Sequence, residues 1–241
     1  MITSKQNTLI KEIRSLSDKK YRDRLNRYVA LGIKLTKEAF ENDLQVLQVV
    51  CTEEASLALG ELPIEKTLVS PEVFATLSEE KTPQGALAVI SKPQNKPGSP
   101  MGKCVFLDGV SDSGNVGAII RTAAASGYSD VYLADCADAY SPKAVRSSMS
   151  GIFKVTTHVG SREELLKLIN LPVCVADMHG ENVFTANLPK DFCLVIGNEA
   201  HGVSREVKKI ARHVVKIPMQ NGVESLNAAV SAGILMYALS K

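Results

Sequence analysis

Three polar loops, each placed directly after an apolar run, hold the residues of this sequence that could carry out chemistry. The first contains Asn115 and Arg121, the second contains Glu199, and the third contains Ser225 and Asn227. Amide, hydroxyl and carboxylate groups orient ligands through hydrogen bonds, whereas a guanidinium group stays protonated and binds anions. Together these groups could hold an anionic substrate and stabilise negative charge that develops on an oxygen.

The sequence of the loop between Asp108 and Gly114 predicts an anion-binding site at the N-terminus of the helix that follows. It follows the apolar run KCVFLD, consists mainly of Gly, Ser and Asp, and leads into a helix that we expect to begin near Asn115. Backbone N–H groups and the positive end of the helix dipole converge at such a point. Arg121 lies about one and a half turns further along the same helix. From its position alone it could equally be an exposed helical arginine.

The second loop follows the apolar run FCLVIG and begins at Gly197. It is not a Walker loop, because the Gly-Lys-Ser/Thr ending is missing. Gly197 permits a ligand to approach the backbone closely, and Glu199 offers a carboxylate at the end of the strand. Alternatively, Asn198 and Glu199 could cap a helix that starts around Ser204.

The third loop follows the run HVVKIP, in which Pro218 ends a strand. A turn containing Gly222 comes next, and a helix is predicted to open with Ser225 and Asn227 in its first turn. Ser225 could be the N-cap of this helix, and Asn227 could be an ordinary helix-start residue. Each of the three loops alone is a weak signal of function.

The elements that must position these loops form a regular pattern from residue 103 onwards. The runs KCVFLD, DVYLAD, PVCVAD, FCLVIG and HVVKIP alternate with helical segments near 115–126, 142–149, 161–169, 204–210 and 224–239. Near-continuous apolar strands are typical of a parallel sheet covered by helices on both faces. We therefore predict an α/β domain over 103–241 that binds ligands at the carboxyl ends of its strands.

The preceding chain is predicted to form a small α/β module over 1–92. Helices are expected around 6–15, 18–27 and 33–42, followed by the strand-like runs LQVLQVVC, KTLVS and GALAVIS. Three prolines and a glycine then occur between Ser91 and Pro100. Such a segment cannot sustain a helix and predicts a linker, which we assign to 93–102.

Composition predicts a cytoplasmic protein that binds no metal. Hydrophobic residues make up 45% of the chain and charged residues 22%, which is ordinary for a soluble globular protein. The start of the chain lacks the apolar stretch of a secretory signal, and the most apolar segment, 226–239, is too short to span a bilayer. The five cysteines are scattered without CxxC pairing, and the four histidines lack metal-ligand spacing.

Charge is distributed unevenly, although the net charge is only +2. Residues 1–37 contain ten lysines and arginines against three acids, whereas residues 38–80 contain ten acids against one lysine. Clustered cations suit the phosphate backbone of a nucleic acid. A solvated helix face would show the same pattern, so charge alone leaves both interpretations open.

Taken in order, the three loops resemble the motif trio of a known enzyme family. The segments GNVGAIIRT, VIGNEAHGVS and IPMQNGVESLNAAVSAGI follow one another as in the SpoU (TrmH) branch of the SPOUT RNA methyltransferases, and the resemblance covers 103–241. It implies methylation of a ribose 2′-hydroxyl in structured RNA, in 23S ribosomal RNA, with S-adenosylmethionine as the donor. It also implies a homodimer and a C-terminal trefoil knot, a rare exception to unknotted topology.

The resemblance assigns roles to individual residues. It places Arg121 at the reacting hydroxyl, surrounded by four polar residues: Asn115, Glu199, Ser225 and Asn227. It encloses the methyl donor in the second and third loops, by the residues Gly197, Ile217 and Leu226 together with Ile196, Asn198 and Pro218. It packs a partner subunit against small residues of the last helix, namely Ala228, Ala229, Ser231, Ala232 and Gly233.

The N-terminal module resembles the small substrate-binding domain, similar to a ribosomal-protein fold, that many ribosomal-RNA members of the family carry. Its segment RYVALGIKL stands where such members commonly have F-x-V-E-G-x-x-L. Leu31 therefore replaces the usual Glu. The resemblance implies that this module binds RNA.

The residues by themselves also leave functions of other classes open. A NAD-dependent oxidoreductase would bind a ribose through Asp135, about twenty residues after the glycine loop, but the loop lacks the G-x-G-x-x-G spacing. A non-catalytic RNA-binding protein of this fold would have lost the catalytic residues, whereas all five are present. Within the methyltransferase class, transfer RNA is the alternative substrate.

Overall fold

The computed structural model describes residues 1–94 and 96–240, which form two compact units. The first unit contains 1–94 and 140–153, and the second contains 96–139 and 154–240. Each unit has its own β-sheet. The predicted linker over 93–102 includes Asn95, which lies outside the described residues.

The first unit is built on a mixed sheet. Its elements are α1 (Thr8–Ser15), α2 (Lys19–Leu25), β1 (Arg27–Leu31), α3 (Ile33–Glu41), β2 (Val46–Cys51), α4 (Glu53–Leu59), β3 (Lys66–Leu68), α5 (Pro71–Phe74) and β4 (Ala86–Ser91). The strands lie in the order β1-β4-β2-β3, with β2 and β3 parallel and the other neighbours antiparallel. Ile10 and Ile13, which share one face of α1, pack in a core cluster with Val50 and Leu87.

The three helices predicted for this unit are present, but β1, α4 and α5 were not predicted. The second helix ends at Leu25 rather than near residue 27, because Asn26 adopts the left-handed conformation with φ of 52°. The chain then continues as β1, whose three central residues are buried. α4 is capped by the Thr52 side chain, which accepts a hydrogen bond from the Ala55 N–H.

The second unit is built on a parallel sheet. The elements from here to the C-terminus are β5 (Cys104–Asp108), α6 (Ser113–Ser126), β6 (Asp130–Ala134), α7 (Pro142–Ser148), β7 (Thr156–Gly160), α8 (Arg162–Leu166), β8 (Val173–Asn182), β9 (Cys193–Gly197), α9 (Arg205–Ile210), β10 (Ala211–Lys216) and α10 (Ala228–Ala238). The strands lie in the order β10-β8-β9-β5-β6-β7, and all neighbours are parallel. The predicted parallel α/β sheet is confirmed.

Two strands of this sheet differ from the prediction. β7 was missed because its residues are mostly polar and only His158 is buried. β8 continues to Asn182, and β10 pairs with both of its parts across a register shift. Beside this shift, a Cβ on Gly180 would lie 2.5 Å from the carbonyl carbon of Val215. The backbones of β8 and β10 therefore approach each other closely enough to require glycine.

The segment 140–153 packs with the first unit, although it lies inside the predicted domain over 103–241. α7 packs against β1, and the ring of Tyr140 lies 4.9 Å from the ring of Tyr28. Both rings are buried. This aromatic contact draws the segment to the first unit, although its neighbours in the chain belong to the second.

α10 packs against α6 of the same unit. Its residues Ala232, Leu235 and Met236 are buried, and a Cβ on Gly233 would lie 3.8 Å from Thr122 Cγ2 of α6. Part of the small-residue face that was predicted to meet a partner subunit is thus covered by the chain itself. Within the described ranges, no helix combines the length and the apolar character that crossing a membrane requires.

Candidate functional site

The first two polar loops meet at the carboxyl ends of β5 and β9. These strands are neighbours, and their last residues, Asp108 and Gly197, are register partners. Because parallel strands end at the same edge of a sheet, the loops that follow them lie side by side. The third loop, 217–227, follows β10 at the same edge.

Glu199 joins the second loop to the first. One carboxylate oxygen accepts hydrogen bonds from the Ser111 N–H (3.1 Å) and the Ser111 hydroxyl (3.0 Å). The other oxygen accepts hydrogen bonds from the Asp112 N–H (3.4 Å) and the Asn115 side-chain amide (2.8 Å). These donors lie at the start of α6, where the helix dipole also favours a negative charge. Glu199 therefore clamps the two loops together.

The same contacts determine the charge of Glu199. Burial by itself raises the pKa of the Glu199 carboxyl, but the hydrogen bonds from Asn115 and Ser111 outweigh it and lower this pKa to about 2. The carboxylate is therefore ionised at any physiological pH. A group with so low a pKa is a poor general base.

Asn115 extends the connection to the third loop. Its side-chain oxygen accepts a hydrogen bond from the Asn227 amide at 3.0 Å, while its amide donates to Glu199. Asn227 is the N-cap of α10, and its oxygen accepts from the N–H groups of Ala229 (2.9 Å) and Val230 (3.3 Å). One hydrogen-bonded chain, Glu199–Asn115–Asn227, thus links all three predicted loops.

The other two predicted catalytic residues lie outside this chain of hydrogen bonds. Arg121 is exposed on α6, and Ser225 is exposed in the third loop. Neither side chain makes a hydrogen bond or an ion pair with any residue in the described part of the protein. Ser225 is not an N-cap, because α10 begins only at Ala228 and Asn227 caps it. The predicted helix over 224–239 therefore starts four residues too early.

Asn198 supports the second loop instead of capping a helix. Its amide donates to the Gly109 carbonyl at 2.7 Å, and its side-chain oxygen accepts from the N–H groups of Ala200 (2.9 Å) and His201 (3.0 Å). The alternative that Asn198 and Glu199 cap the helix near Ser204 is therefore wrong, since both side chains bond to other groups.

Gly197 is required by the loop itself. A Cβ at this position would lie 2.3 Å from the Gly202 carbonyl carbon and 2.4 Å from the Val203 nitrogen. We expected a Cβ here to enter the space of a bound ligand, but it would first collide with the protein backbone. A substitution must therefore move the second loop.

The remaining residues predicted to enclose the methyl donor offer aliphatic side chains and, in the third loop, backbone groups without hydrogen-bond partners. Ile196 is buried, Ile217 and Leu226 are half-buried, and Pro218 is exposed. Of the described backbone groups in 217–226, only the Val223 N–H donates to another backbone group of this segment, the Gln220 carbonyl at 3.2 Å. Most backbone donors and acceptors of the third loop are thus free to bind a ligand.

Sequence reasoning missed a second set of contacts that supports the site. The buried carboxylate of Asp108, at the end of β5, accepts hydrogen bonds from Arg162 Nε (2.5 Å) and from the Ser204 N–H (2.7 Å). Arg162 also pairs with Asp135 at 3.2 Å, so the acid considered for ribose binding is held by an arginine. The position of Asp108 at the end of a buried strand was a signal that could have revealed this role.

The parallel α/β sheet and the polar cluster at its carboxyl edge define a protein that binds its ligand at that edge. A model of the SpoU rRNA Methylase family matches residues 102–237, and a model of the MRM3-like substrate binding domain matches residues 7–88. The chain therefore belongs to the SpoU rRNA methylase family.

Individual relatives agree over the full chain. The chain is 31% identical to the 23S rRNA (guanosine(2553)-2′-O)-methyltransferase RlmP of Bacillus subtilis, over 99% of this chain and 98% of the relative. The solved structure of the SpoU methyltransferase AviRb from Streptomyces viridochromogenes in complex with AdoMet has a TM-score of 0.87 at 25% identity, covering 98% and 97% of the two chains. An AdoMet-bound rRNA methyltransferase from Sinorhizobium meliloti has a TM-score of 0.85 at 27% identity, covering 99% and 96%.

Proposed function

We propose that this protein transfers a methyl group from S-adenosylmethionine to a ribose 2′-hydroxyl of structured RNA, in 23S ribosomal RNA. The observation that carries the proposal is the hydrogen-bonded chain Glu199–Asn115–Asn227, which draws together the three loops that the resemblance assigns to catalysis. Two relatives similar over most of their length are named as 23S rRNA 2′-O-methyltransferases. RNA methylation accounts for both the fold and the cluster.

The second and third loops fit the methyl donor. S-adenosylmethionine, when bound, supplies the activated methyl group. Its adenine and ribose can form hydrogen bonds with the open backbone groups of 217–226, and Ile217 and Leu226 can cover their apolar faces. Gly197 and Asn198 contribute by keeping the second loop in shape. Gly197 does so because it lacks a side chain, and Asn198 does so through its side-chain hydrogen bonds within the two loops.

Arg121 is proposed to act on the RNA. It carries a permanent charge and has no partner in the described part of the protein, so it can bind a phosphate or stabilise negative charge on the reacting ribose oxygen. A guanidinium group does not accept a proton, so the hydroxyl proton leaves to water, with the RNA phosphate that Arg121 binds as a relay. Glu199 and Asn115 position the loops, and Ser225 remains exposed for contact with substrate.

The protein is further proposed to act in the cytoplasm as a homodimer with a knotted C-terminal segment. All five cysteines are free, as in proteins of reducing compartments. Val230 and Tyr237, seven residues apart on α10, are 51% and 59% exposed and offer an apolar face to a second subunit. The N-terminal module is proposed to bind the RNA substrate. Light scattering of the purified protein at several concentrations would test the dimer.

Methyl transfer can be tested directly. The purified protein, labelled S-adenosylmethionine and protein-free 23S ribosomal RNA should give labelled RNA, and mapping should place the label at one ribose. Unfractionated transfer RNA serves as the second substrate. Labelling of transfer RNA alone would overturn the ribosomal assignment, and absence of labelling in both would overturn the enzymatic one.

A further inference from the structure

The outer edge of the second sheet carries a row of cations. The segment 205–216, which comprises α9 and β10, contains five lysines and arginines against one acid, Glu206. Lys208 pairs with Asp177 at 2.6 Å. The other four cations have exposed side chains that make no hydrogen bond or ion pair with the described residues: Arg205, Lys209, Arg212 and Lys216.

The spacing of these cations suits a polyanion that runs along the edge. Arg205 and Lys209 are four residues apart and share one face of α9. Along β10, Arg212 and Lys216 are both exposed, and Arg212 lies at a register shift in the pairing with β8. They lie roughly 13 Å apart along the strand, too far apart for one phosphate. The row can therefore contact successive phosphates.

An aromatic side chain lies at the end of the row nearest the third loop. The Val183 N–H donates to the Lys216 carbonyl at 2.9 Å, and the Val183 side chain is buried, so this point of the backbone is fixed. The next residue, Phe184, has its own N–H bonded to Asn182 Oδ1 at 3.0 Å, yet its side chain is 53% exposed. The exposed phenyl ring thus follows directly after the residue whose backbone is bonded to Lys216.

We propose that Arg205, Lys209, Arg212, Lys216 and Phe184 form a binding track for unpaired RNA that leads to the reaction site. The cations contact successive phosphates, and Phe184 stacks on a base. Cations that follow a backbone, combined with an aromatic ring for bases, are how proteins bind single-stranded nucleic acid. Lys216 directly precedes Ile217, so the track ends where the third loop begins. This inference rests on the proposed function, because the bound RNA strand would deliver the ribose that is methylated.

The charge of the track is tested by salt dependence. Binding of a fluorescent single-stranded oligoadenylate is measured by anisotropy over a range of salt concentrations, for the wild type and for R205Q/K209Q/R212Q/K216Q. The slope of log affinity against log salt should fall by about 0.7 for each phosphate that the variant no longer binds. The control is K154Q/K190Q, because these exposed lysines precede β7 and β9 and so lie at the amino ends of the strands. Circular dichroism and thermal melting confirm that each variant is folded.

The stacking role of Phe184 is tested separately. Phe184→Ala should weaken oligoadenylate binding roughly 5- to 100-fold without changing the salt slope, because the variant loses a stacking surface but keeps every charge. Phe184→Trp should retain binding.

An unchanged salt slope in the four-site variant, or an equal change in the control variant, would overturn the proposal of an RNA-binding track. If the four-site variant bound RNA normally but no longer associated with a ribosomal protein, this edge would be assigned to a protein partner instead. Since no step requires methyl transfer, failure of the proposed enzymatic function would be recognised separately.

Discussion

Two basic regions of this protein differ in how their charges are used. In 1–37, Arg22 is only 3% exposed and donates hydrogen bonds to the carbonyls of Leu16 and Ser17, both at 2.7 Å. In 205–216, four of five cations have exposed side chains without partners in the described chain. The number of cations in a segment therefore does not reveal how many can bind a ligand.

The difference has a local cause. The N-terminal region contains acids within reach, so Lys19 pairs with Asp23 at 2.7 Å and Arg27 pairs with Glu12 at 2.6 Å. Hydrogen bonds from Lys19 and Lys92 lower the pKa of Asp23. The segment 205–216 contains one acid only. Its cations therefore remain available for a polyanion.

The largest effect is expected for Arg121, an exposed cation on α6 that we propose to act on the RNA. Arg121→Ala should reduce methyl transfer by about 10²–10³-fold, because the charge that stabilises the reacting oxygen is lost. Donor affinity in calorimetry and the melting temperature should stay close to wild type. Arg121→Lys should also be severely impaired, since a point charge does not reproduce the two-pronged guanidinium. Turnover near wild type in the alanine variant would refute the assignment.

Arg22 provides the opposite case, a cation used within the fold. Arg22→Ala should lower the free energy of unfolding by about 2–3 kcal/mol, because the buried Leu16 carbonyl and the Ser17 carbonyl lose a charged donor. Chemical denaturation measures this loss. Lys20→Ala, at an exposed position of the same helix, is the matched control and should unfold like the wild type. If Arg22→Ala were as stable as the control, the internal role of this cation would be wrong.

Gly197 tests whether the second loop tolerates movement. Gly197→Ala should lower both stability and donor affinity, with stability falling by about 2 kcal/mol, because the Cβ meets the backbone of Gly202 and Val203. Denaturation and calorimetry measure the two effects. Gly98→Ala is the control, since a Cβ there would meet no atom within 4 Å. Unchanged donor affinity in a folded Gly197→Ala protein would separate the loop from donor binding.

Glu199 extends the comparison to an acid, because both of its carboxylate oxygens accept hydrogen bonds within the protein. Its folded pKa of about 2 lies below the ordinary value of 4.5, so its stabilising effect is complete above about 4.5 and is lost as the pH falls towards 2. Because Glu199 is exposed, this effect should be about 1 kcal/mol. Unfolding curves between pH 6 and pH 2 should show a steeper loss for wild type than for Glu199→Gln. Parallel curves would contradict the depressed pKa.

The smallest effect is expected for the exposed cations of the N-terminal region. Lys20→Gln with Arg24→Gln should lower the salt slope of binding to structured ribosomal RNA by at most about two units. Arg22 is left intact, because its loss would lower stability and the effect on folding could not be separated from the effect on RNA binding. An unchanged slope would show that this region is only a solvated surface and would leave RNA contact to the 205–216 edge.

Much of the second unit could be predicted because its information is local. Near-continuous apolar runs predicted β5, β6 and β9, since central strands of a parallel sheet are buried on both faces. Mostly polar β7 carried no such pattern and was missed. The motif order also indicated Asn115, Glu199 and Asn227, although their mutual contacts had no local signal.

The sequence by itself determined the order of strands, loops and helices and the family to which the chain belongs, because hydrophobic periodicity and short motifs are properties of neighbouring residues. Only the tertiary structure decided that Asn115 bonds to Glu199, 84 residues away, and to Asn227, 112 residues away. It also decided that Arg22 is buried while Lys216 is free. Such contacts depend on how parallel strands align their ends and on which acids come within reach, and neither is encoded in spacing along the chain.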